Sequence, residues 1–349
     1  LHYVEVELKL YIIIEYIYIW YYLFNKQRLK IIIMELFRVK VNNKYGFVDK
    51  DGNEVVPCKY NEANDFCEGM ARVRHHGYYG FIDKTGSEVI PCQYRIARNF
   101  SDGLAYTKNN GQSFYIDKAG CHVVEANYTY CFSFNEGLAK VCSFRTKEMG
   151  FIDKTGQMVI KCNYHSAEKF CNGMARVELN RKWGFIDNTG AEVIPCKYDG
   201  AEDFSEGLAS VVKGRNYGFD DKGGNEVIPF KYDYVSNFSE GLSLVQLGGS
   251  YGYIDNKGNV VVPFKYETAD DFSEGLAPVR SNGKWGYIDT TGREVIPCIY
   301  DHAEKFKNGL AAVGNGKGSA QQWGYIDKSG SVKIPMKYQM ILDSESDFE

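Results

Sequence analysis

Apolar and polar positions along the stretch Lys284 to Tyr300, KWGYIDTTGREVIPCIY, predict a β-hairpin. Trp285, Tyr287 and Ile288 suit a pleated, half-buried surface, and Val295 with Ile296 does the same on the return strand. Between them Asp289-Thr290-Thr291-Gly292 has turn chemistry. The Asp carboxylate can accept the backbone N–H two residues on, and the Gly can take positive φ, so a type I turn closed by a left-handed glycine is expected. Pro297 ends or edges the second strand because it cannot donate to a ladder.

The same pattern returns along most of the chain. An aromatic-Gly pair occurs at Tyr45-Gly46, Tyr79-Gly80, Trp183-Gly184, Tyr217-Gly218, Tyr251-Gly252, Trp285-Gly286 and Trp323-Gly324, with Met149-Gly150 and an imperfect Ser113-Phe114 in the remaining slots. That makes nine copies, mostly 34 residues apart, with two extra residues near Ser143 to Lys147 and four near Gly314 to Gln322. A turn Asp, a Gly three residues later and a later Tyr hold the same register in every copy, as Asp289, Gly292 and Tyr300 do here. A phrase such as Asp271-Phe272-Ser273-Glu274-Gly275-Leu276-Ala277-Pro278-Val279 follows, and its Phe and Gly recur, as in Phe204 with Gly207. A fixed period of this length is the mark of a repeat architecture.

Each copy then supplies three antiparallel strands: A, the Leu-Ala-x-Val segment; B, with the aromatic-Gly pair; and C, the Val-Ile-Pro segment. Alternation on strand B puts Trp183, Phe185 and Asp187 on one side and Gly184 with Ile186 on the other, so both faces carry apolar groups. An open sheet facing water would show one polar face. The expected fold is therefore all-β: a tandem array of nine three-stranded units of about 34 residues stacked face to face. The reading adopted is an open superhelical array, with a large β-propeller as its alternative. The paired glycine is expected to let a neighbouring sheet approach closely.

Composition narrows the function classes. The chain has 349 residues, 44% hydrophobic and 25% charged, with a net charge of −4. Such a balance supports a globular core and gives no electrostatic case for nucleic acid, which needs clustered Lys and Arg. Ten cysteines are spread without a CxxC pair, and Cys58, Cys92, Cys162, Cys196 and Cys298 share a repeat position that Phe230, Phe264 and Met336 fill elsewhere. A position that accepts Cys, Phe or Met is an apolar pocket. Reduced thiols point to a cytoplasmic setting, with the cell envelope or secretion as alternatives.

Residues 1–33 do not carry the pattern. Leu10 to Phe24 is apolar but only fifteen residues long and interrupted by Glu15, short of the roughly 20 residues a spanning helix needs. It also lacks a basic n-region and a cleavage site. The segment is read as a leader of translated upstream sequence, with the product starting at Met34, and alternatively as a membrane-associated segment. Residues 34–338 are the repeat array and 339–349 a C-terminal tail.

The motif Lys-Trp-Gly-Tyr-Ile-Asp-x-x-Gly-x-x-Val-Ile-Pro, followed by Tyr and Phe-x-x-Gly-Leu-Ala, resembles the WG-repeat (KWG-repeat) proteins, which are mainly bacterial. The resemblance covers about Met34 to Tyr338 and implies a repetitive β architecture with no active site to carry over. Ser113-Phe114, Glu125 and Lys161 in place of proline, and Asp220 in place of the usual Ile are the departures.

Candidate chemistry reduces to packing at most positions. The nine turn aspartates each have a local N–H to accept, whereas calcium needs six to eight oxygens around one ion. Asp220-Asp221 is the only local doublet in that turn. No Ser or Cys elbow and no phosphate-cradling Gly loop occurs. No catalytic residue, metal ligand or cofactor is assigned, and an enzyme is not expected. The A–B loops are polar, slightly basic and unlike one another, and both length changes fall in them; insertions in repeat proteins map to one face that is often used for binding. His75, His76, Lys108, Asn109, Arg181, Lys213, Arg215 and Asn282 form this candidate rim. The expected function is a non-enzymatic scaffold for protein–protein interaction. The second reading is a carbohydrate or cell-envelope module that stacks sugars on an aromatic ladder, which requires Trp183, Trp285 and Trp323 to be uncovered.

Overall fold

The structure is a computed structural model that describes residues 36–49, 53–316 and 322–338. The leader, the start at Met34 and the tail lie outside the described residues. The described residues are all β, without a helix, and form nine antiparallel sheets, one for each repeat. No helix among them is long and apolar enough to cross a membrane. The chain divides between residues 163 and 164 into two compact bodies. Four sheets belong to the first and five to the second.

Strands A, B and C occur as the pattern predicts. In the eighth repeat, strand A (Leu276–Ser281) pairs one-to-one with strand B (Lys284–Asp289), and strand B pairs with strand C (Glu294–Tyr300). The B–C turn is the expected one: Gly292 has φ +83°, its N–H donates to the Asp289 carbonyl over 2.8 Å, and Asp289 Oδ1 accepts from the Thr291 N–H over 3.0 Å.

The structure adds a fourth strand to eight of the nine sheets. In seven of them it is a two-residue edge strand, such as Glu62–Ala63, whose residues pair with Arg74 and Val73 of strand A, and in the fourth it runs from Tyr130 to Asn135. Two residues are too few to show alternation, so the pattern does not announce it. The sheet order is edge, A, B, C, all antiparallel, and so short an edge strand leaves little ladder open.

The glycine of the pair works differently from the expectation. Trp285 pairs with Tyr300 and Tyr287 with Ile296, so Gly286 alone faces Pro297, Cys298 and Ile299. Strand C bulges over the glycine: a Cβ there would lie 2.5 Å from the Ile296 carbonyl oxygen and 2.6 Å from the Cys298 nitrogen. The close approach is by the sheet's own strand C, not by a neighbouring sheet. The third repeat confirms the rule by breaking it. With Phe114 at the glycine position, strand C pairs straight across (Phe114 with Glu125, Tyr115 with Val124) and shrinks to His122–Glu125.

Each core cluster lies between successive sheets of one body. Phe219, Ile228 and Tyr232 of the sixth sheet meet Val235, Phe238, Val245 and Ile254 of the seventh. Within these layers an aromatic of strand B meets the Phe of the next repeat, with centroids 4.8 Å apart for Phe219 and Phe238 and 5.0 Å for Tyr287 and Phe306. Burying one such ring is worth roughly 1.5–3 kcal/mol, so packing between repeats dominates the stability.

The Phe-Ser-Glu-Gly-Leu phrase is the interlock. Glu-Gly forms a tight turn with positive φ at both residues, as at Glu240 (+55°) and Gly241 (+81°). The Glu carboxylate then accepts the glycine N–H of the next repeat: Glu240 from Gly275 at 2.9 Å and Glu274 from Gly309 at 2.9 Å. The Ser hydroxyl donates to the next Phe carbonyl, Ser239 to Phe272 at 3.1 Å and Ser273 to Phe306 at 2.7 Å.

A second interlock exists in two versions. Where strand A carries Arg at its third position, the guanidinium donates to the edge-strand carbonyl of the next sheet, Arg72 to Ala97 at 2.6 Å. Where strand B carries Tyr in place of Phe, its hydroxyl reaches the following carbonyl, Tyr253 to Asp270 and Tyr287 to Glu304, both at 2.7 Å. The sixth repeat has Ser210 and Phe219 and so has neither group. There the seventh repeat satisfies its own carbonyl, Ser243 Oγ donating to Ser236 at 2.7 Å.

Candidate functional site

Most chemically capable side chains are spent on the frame. Oδ1 of each turn carboxylate accepts N–H groups of its own turn, and the Thr291 hydroxyl with those amides holds Asp289 below the ordinary carboxylate range. All ten cysteines are free thiols. Those at the shared repeat position are half-buried, and burial pushes Cys92 up to about 11 and, in the core, Cys131 up to about 12. A thiol so raised is a poor nucleophile at neutral pH. Among the described residues no cluster of His, Cys, Asp or Glu is placed to hold a metal.

Asp220 is the exception. It replaces a core Ile, is 1% exposed, accepts a hydrogen bond from the Tyr198 hydroxyl, and leaves Oδ1 buried without a partner. Burial holds its pKa above the ordinary value, against the Tyr198 hydrogen bond.

The eight rim residues sit at the A–B end of their sheets. His75 ends strand A, and burial together with the adjacent His76 ring, 4.0 Å away between centroids, pushes its pKa down. His76, Arg181 and Asn282 occupy the turns themselves, with φ of +49°, +62° and +51°. Lys108 and Asn109 close strand A of the third repeat. Lys213 closes that of the sixth, its ammonium 4.0 Å from the Phe230 ring centroid and 3.7 Å from Glu226, with Arg215 in the turn beyond. These are two-residue hairpin turns, which explains their richness in Asn and Gly: both central residues of most of them need positive φ. Arg181 is the residue there that turn chemistry does not account for.

A column absent from the sequence reading lies beside the rim. The first residue of the edge strand is, in order, Glu62, Ile96, Tyr130, Ser166, Gly200, Tyr234, Thr268 and His302, whereas the second is Ala in six of eight copies and mostly buried. The varied residue pairs with the fifth residue of strand A, itself varied, and that residue faces the aromatic of the pair: Glu62–Arg74–Tyr79, Gly200–Val212–Tyr217, Tyr234–Gln246–Tyr251 and His302–Gly314–Trp323. In the second repeat the row is closed by charge: Glu62 accepts from Arg74 at 2.5 Å and from the Tyr79 hydroxyl at 2.7 Å. In the seventh it is closed by Tyr234, whose ring centroid lies 6.1 Å from that of Tyr217.

In the sixth repeat the row is open. Gly200 and Ser210 leave a cavity of about 250 Å³ lined by Arg176, Trp183, Glu202, Val212 and Tyr217. The Arg176 guanidinium carbon sits 5.7 Å from the Trp183 ring centroid and its Nε donates to Asp203 at 2.7 Å, while Nη1 faces the Ala201 carbonyl and, at 3.1 Å, Glu202. A second recess, in the first body, is lined by Tyr128, Phe144, Arg145, Met158, Lys161 and Cys162, where the two-residue insertion lies. Trp183, Trp285 and Trp323 are each half-buried, neither covered nor free.

The WG containing repeat matches nine times, over residues 45–79, 79–112, 114–143, 149–183, 183–217, 217–251, 251–285, 285–317 and 323–348. The chain belongs to the WG-repeat family. No curated protein matches this WG-repeat chain. Solved structures that resemble it include the dihydro-heme d1 dehydrogenase NirN in complex with DHE, at 13% identity and a TM-score of 0.43 over 86% of this chain and 73% of that one. Hsv2p of Kluyveromyces lactis is 10% identical, with a TM-score of 0.35 over 67% of this chain and 97% of its own. The tricorn protease is 10% identical, with a TM-score of 0.28 over 85% of this chain and 39% of its own. At these scores the likenesses carry no argument about shape or function.

Proposed function

We propose that this WG-repeat protein is a non-enzymatic scaffold that binds another protein along the A–B rim and the adjoining edge-strand column, in a cytoplasmic setting. The carrying observation is internal. Copies that keep their turns, bulge and core layers constant vary in residue type at two adjoining surface positions, the A–B turns and the first edge-strand residue. Repeats under a packing requirement alone have no need to differ there in charge, aromaticity and size while the next residue stays Ala. The raised thiols and locally engaged carboxylates support the non-enzymatic part of the reading.

The test is a graft. Replacing Asn180-Arg181 and Gly214-Arg215 with Asn-Gly, and Lys213 with Ser, is expected to abolish capture of partners that the unmodified protein retains from its native host, with thermal stability unchanged. Capture that survives the graft overturns the rim as the binding face. The carbohydrate reading rests on the half-exposure of Trp183, Trp285 and Trp323. It predicts retention on a polysaccharide affinity gel that the graft leaves intact and Trp285→Ala reduces.

A further inference from the structure

We propose that the open row of the sixth repeat is a socket for one aromatic side chain, a tyrosine of a partner polypeptide, held between Trp183 and Tyr217. This rests on the reading of the rim as a protein-binding face and names what one part of it recognises.

The chain itself shows what fits. In the next repeat the corresponding edge-strand position carries Tyr234, and its ring packs 6.1 Å from Tyr217, between the aromatics of successive sheets. Gly200 stands where that ring's residue would be, and Ser210 stands where the seventh repeat has the buried Leu244. Two small residues at two positions of one repeat leave about 250 Å³, room for a phenol ring. The walls are already arranged: Trp183 is backed by Arg176, whose guanidinium is tied to Asp203 and Glu202 and is therefore not free to collapse inward. Glu202 stands at the mouth with its carboxylate in solvent, its side chain 59% exposed, where it can accept a phenolic O–H. The socket lies just inside the rim, since Trp183 follows Arg181 by two residues and Tyr217 follows Arg215 by two. Aromatic anchors in well-formed pockets dominate many protein interfaces.

The experiment labels the tryptophans with 5-fluorotryptophan and assigns Trp183 by loss of its resonance in Trp183→Phe. Titration with N-acetyltyrosinamide is expected to shift the Trp183 resonance with a millimolar midpoint and leave those of Trp285 and Trp323 in place. Gly200→Tyr should move the Trp183 resonance without ligand and abolish the response. A Cβ at Gly200 would lie 3.3 Å from a Val212 methyl, so Gly200→Tyr with Val212→Gln, copying the Tyr234–Gln246 pair, is the second variant. Unchanged Trp285 and Trp323 resonances report that it is folded. No response of Trp183, an equal response to N-acetylleucinamide or methyl glucoside, or a response that survives the double variant overturns the socket. A Trp183 response alongside partner capture that survives the rim graft would sink the proposed function and leave the socket standing; the reverse result would do the opposite.

Discussion

The sixth and seventh repeats are built on one frame and differ at three positions that matter. Strands A and B pair in the same register, strand C bulges over Gly218 in one and Gly252 in the other, and both B–C turns are closed by a left-handed glycine. Into that frame the seventh repeat places Tyr234, Leu244 and Ile254, where the sixth has Gly200, Ser210 and Asp220. In the seventh these positions carry large apolar or aromatic side chains. The sixth carries an open row on the face of Tyr217 and a buried carboxylate on the other. A frame held by backbone geometry and inter-repeat bonds tolerates three losses in one repeat, because no single side chain there closes the sheet.

The sharpest way to break the comparison is to give the seventh repeat what the sixth has. Ile254 is fully buried, and Ile254→Asp places a carboxylate in a layer shared with Phe219, Ile228, Tyr232, Val235 and Val245. The expected loss is about 4 kcal/mol in a denaturant titration, because the isoleucine's burial is lost and a charge is buried in its place. The Tyr232 hydroxyl, the counterpart of Tyr198, is buried in that layer and can donate to one carboxylate oxygen, which leaves the other unsatisfied. Next in size, Gly218→Ala and Gly252→Ala push a Cβ to within 2.7 Å of the Ile228 carbonyl oxygen and 2.5 Å of the Val262 carbonyl oxygen. Backbone cannot swing aside as a long side chain can, so each should cost about 3 kcal/mol. A loss in one repeat only would show that the two frames are not equivalent.

Those glycines mark how far the fold was legible in the sequence. The period, the three strands, the Asp-x-x-Gly turn and the apolar character of both faces all follow from spacing and alternation, which local physics enforces in every copy. The partner of the glycine was not legible. Recurrence shows that a Cβ is excluded but not what excludes it, and the bulge depends on a pairing register set by residues ten apart. The edge strand was missed because Gly200–Ala201 or Thr268–Ala269 is defined by its partner rather than by its own pattern. The candidate rim residues lie in or beside the A–B turns, and the Asn and Gly among them answer to turn geometry. The column through Glu62, Gly200 and Tyr234 became visible only once that edge strand was placed beside strand A. Its sequence signal was present in retrospect: a residue that changes in almost every copy next to an alanine that rarely does.

Asp220 gives the third test, with a smaller effect of opposite sign. Asp220→Ile together with Tyr198→Phe restores an apolar layer, removing the orphaned Asp220 Oδ1 and the Tyr198 hydroxyl bonded to the other oxygen, and should raise stability by about 1–2 kcal/mol at neutral pH. The gain should depend on pH. Because burial raises the folded-state pKa of Asp220, the unfolded chain releases its proton first, near the ordinary Asp value of about 3.9. As pH rises from there through the folded-state pKa the wild type loses stability that the variant keeps. The stability difference should therefore be small in acid and grow toward neutrality; a gap that is constant across that range would mean that Asp220 does not titrate differently on folding.

The smallest effect tests what the two repeats share. Glu240, in the tight turn of the seventh repeat, accepts the Gly275 N–H at 2.9 Å, and Glu206 of the sixth accepts that of Gly241 at 3.0 Å. Both carboxylates are exposed, so water replaces much of what is lost, and Glu→Gln at either site should cost about 0.5 kcal/mol. Glu→Gly at the same sites removes the bond but relieves a side chain held at positive φ, +50° for Glu206 and +55° for Glu240, and should come out close to neutral. The informative result is the difference between the two substitutions in urea titrations. If Gly is as costly as Gln, the inter-repeat bond outweighs the backbone strain and the Glu-Gly turn is chosen for the contact; if Gly is less costly, the strain is what the carboxylate bond offsets. The same sign in both repeats would place the interlock among the parts of the frame that are indifferent to the open row beside it.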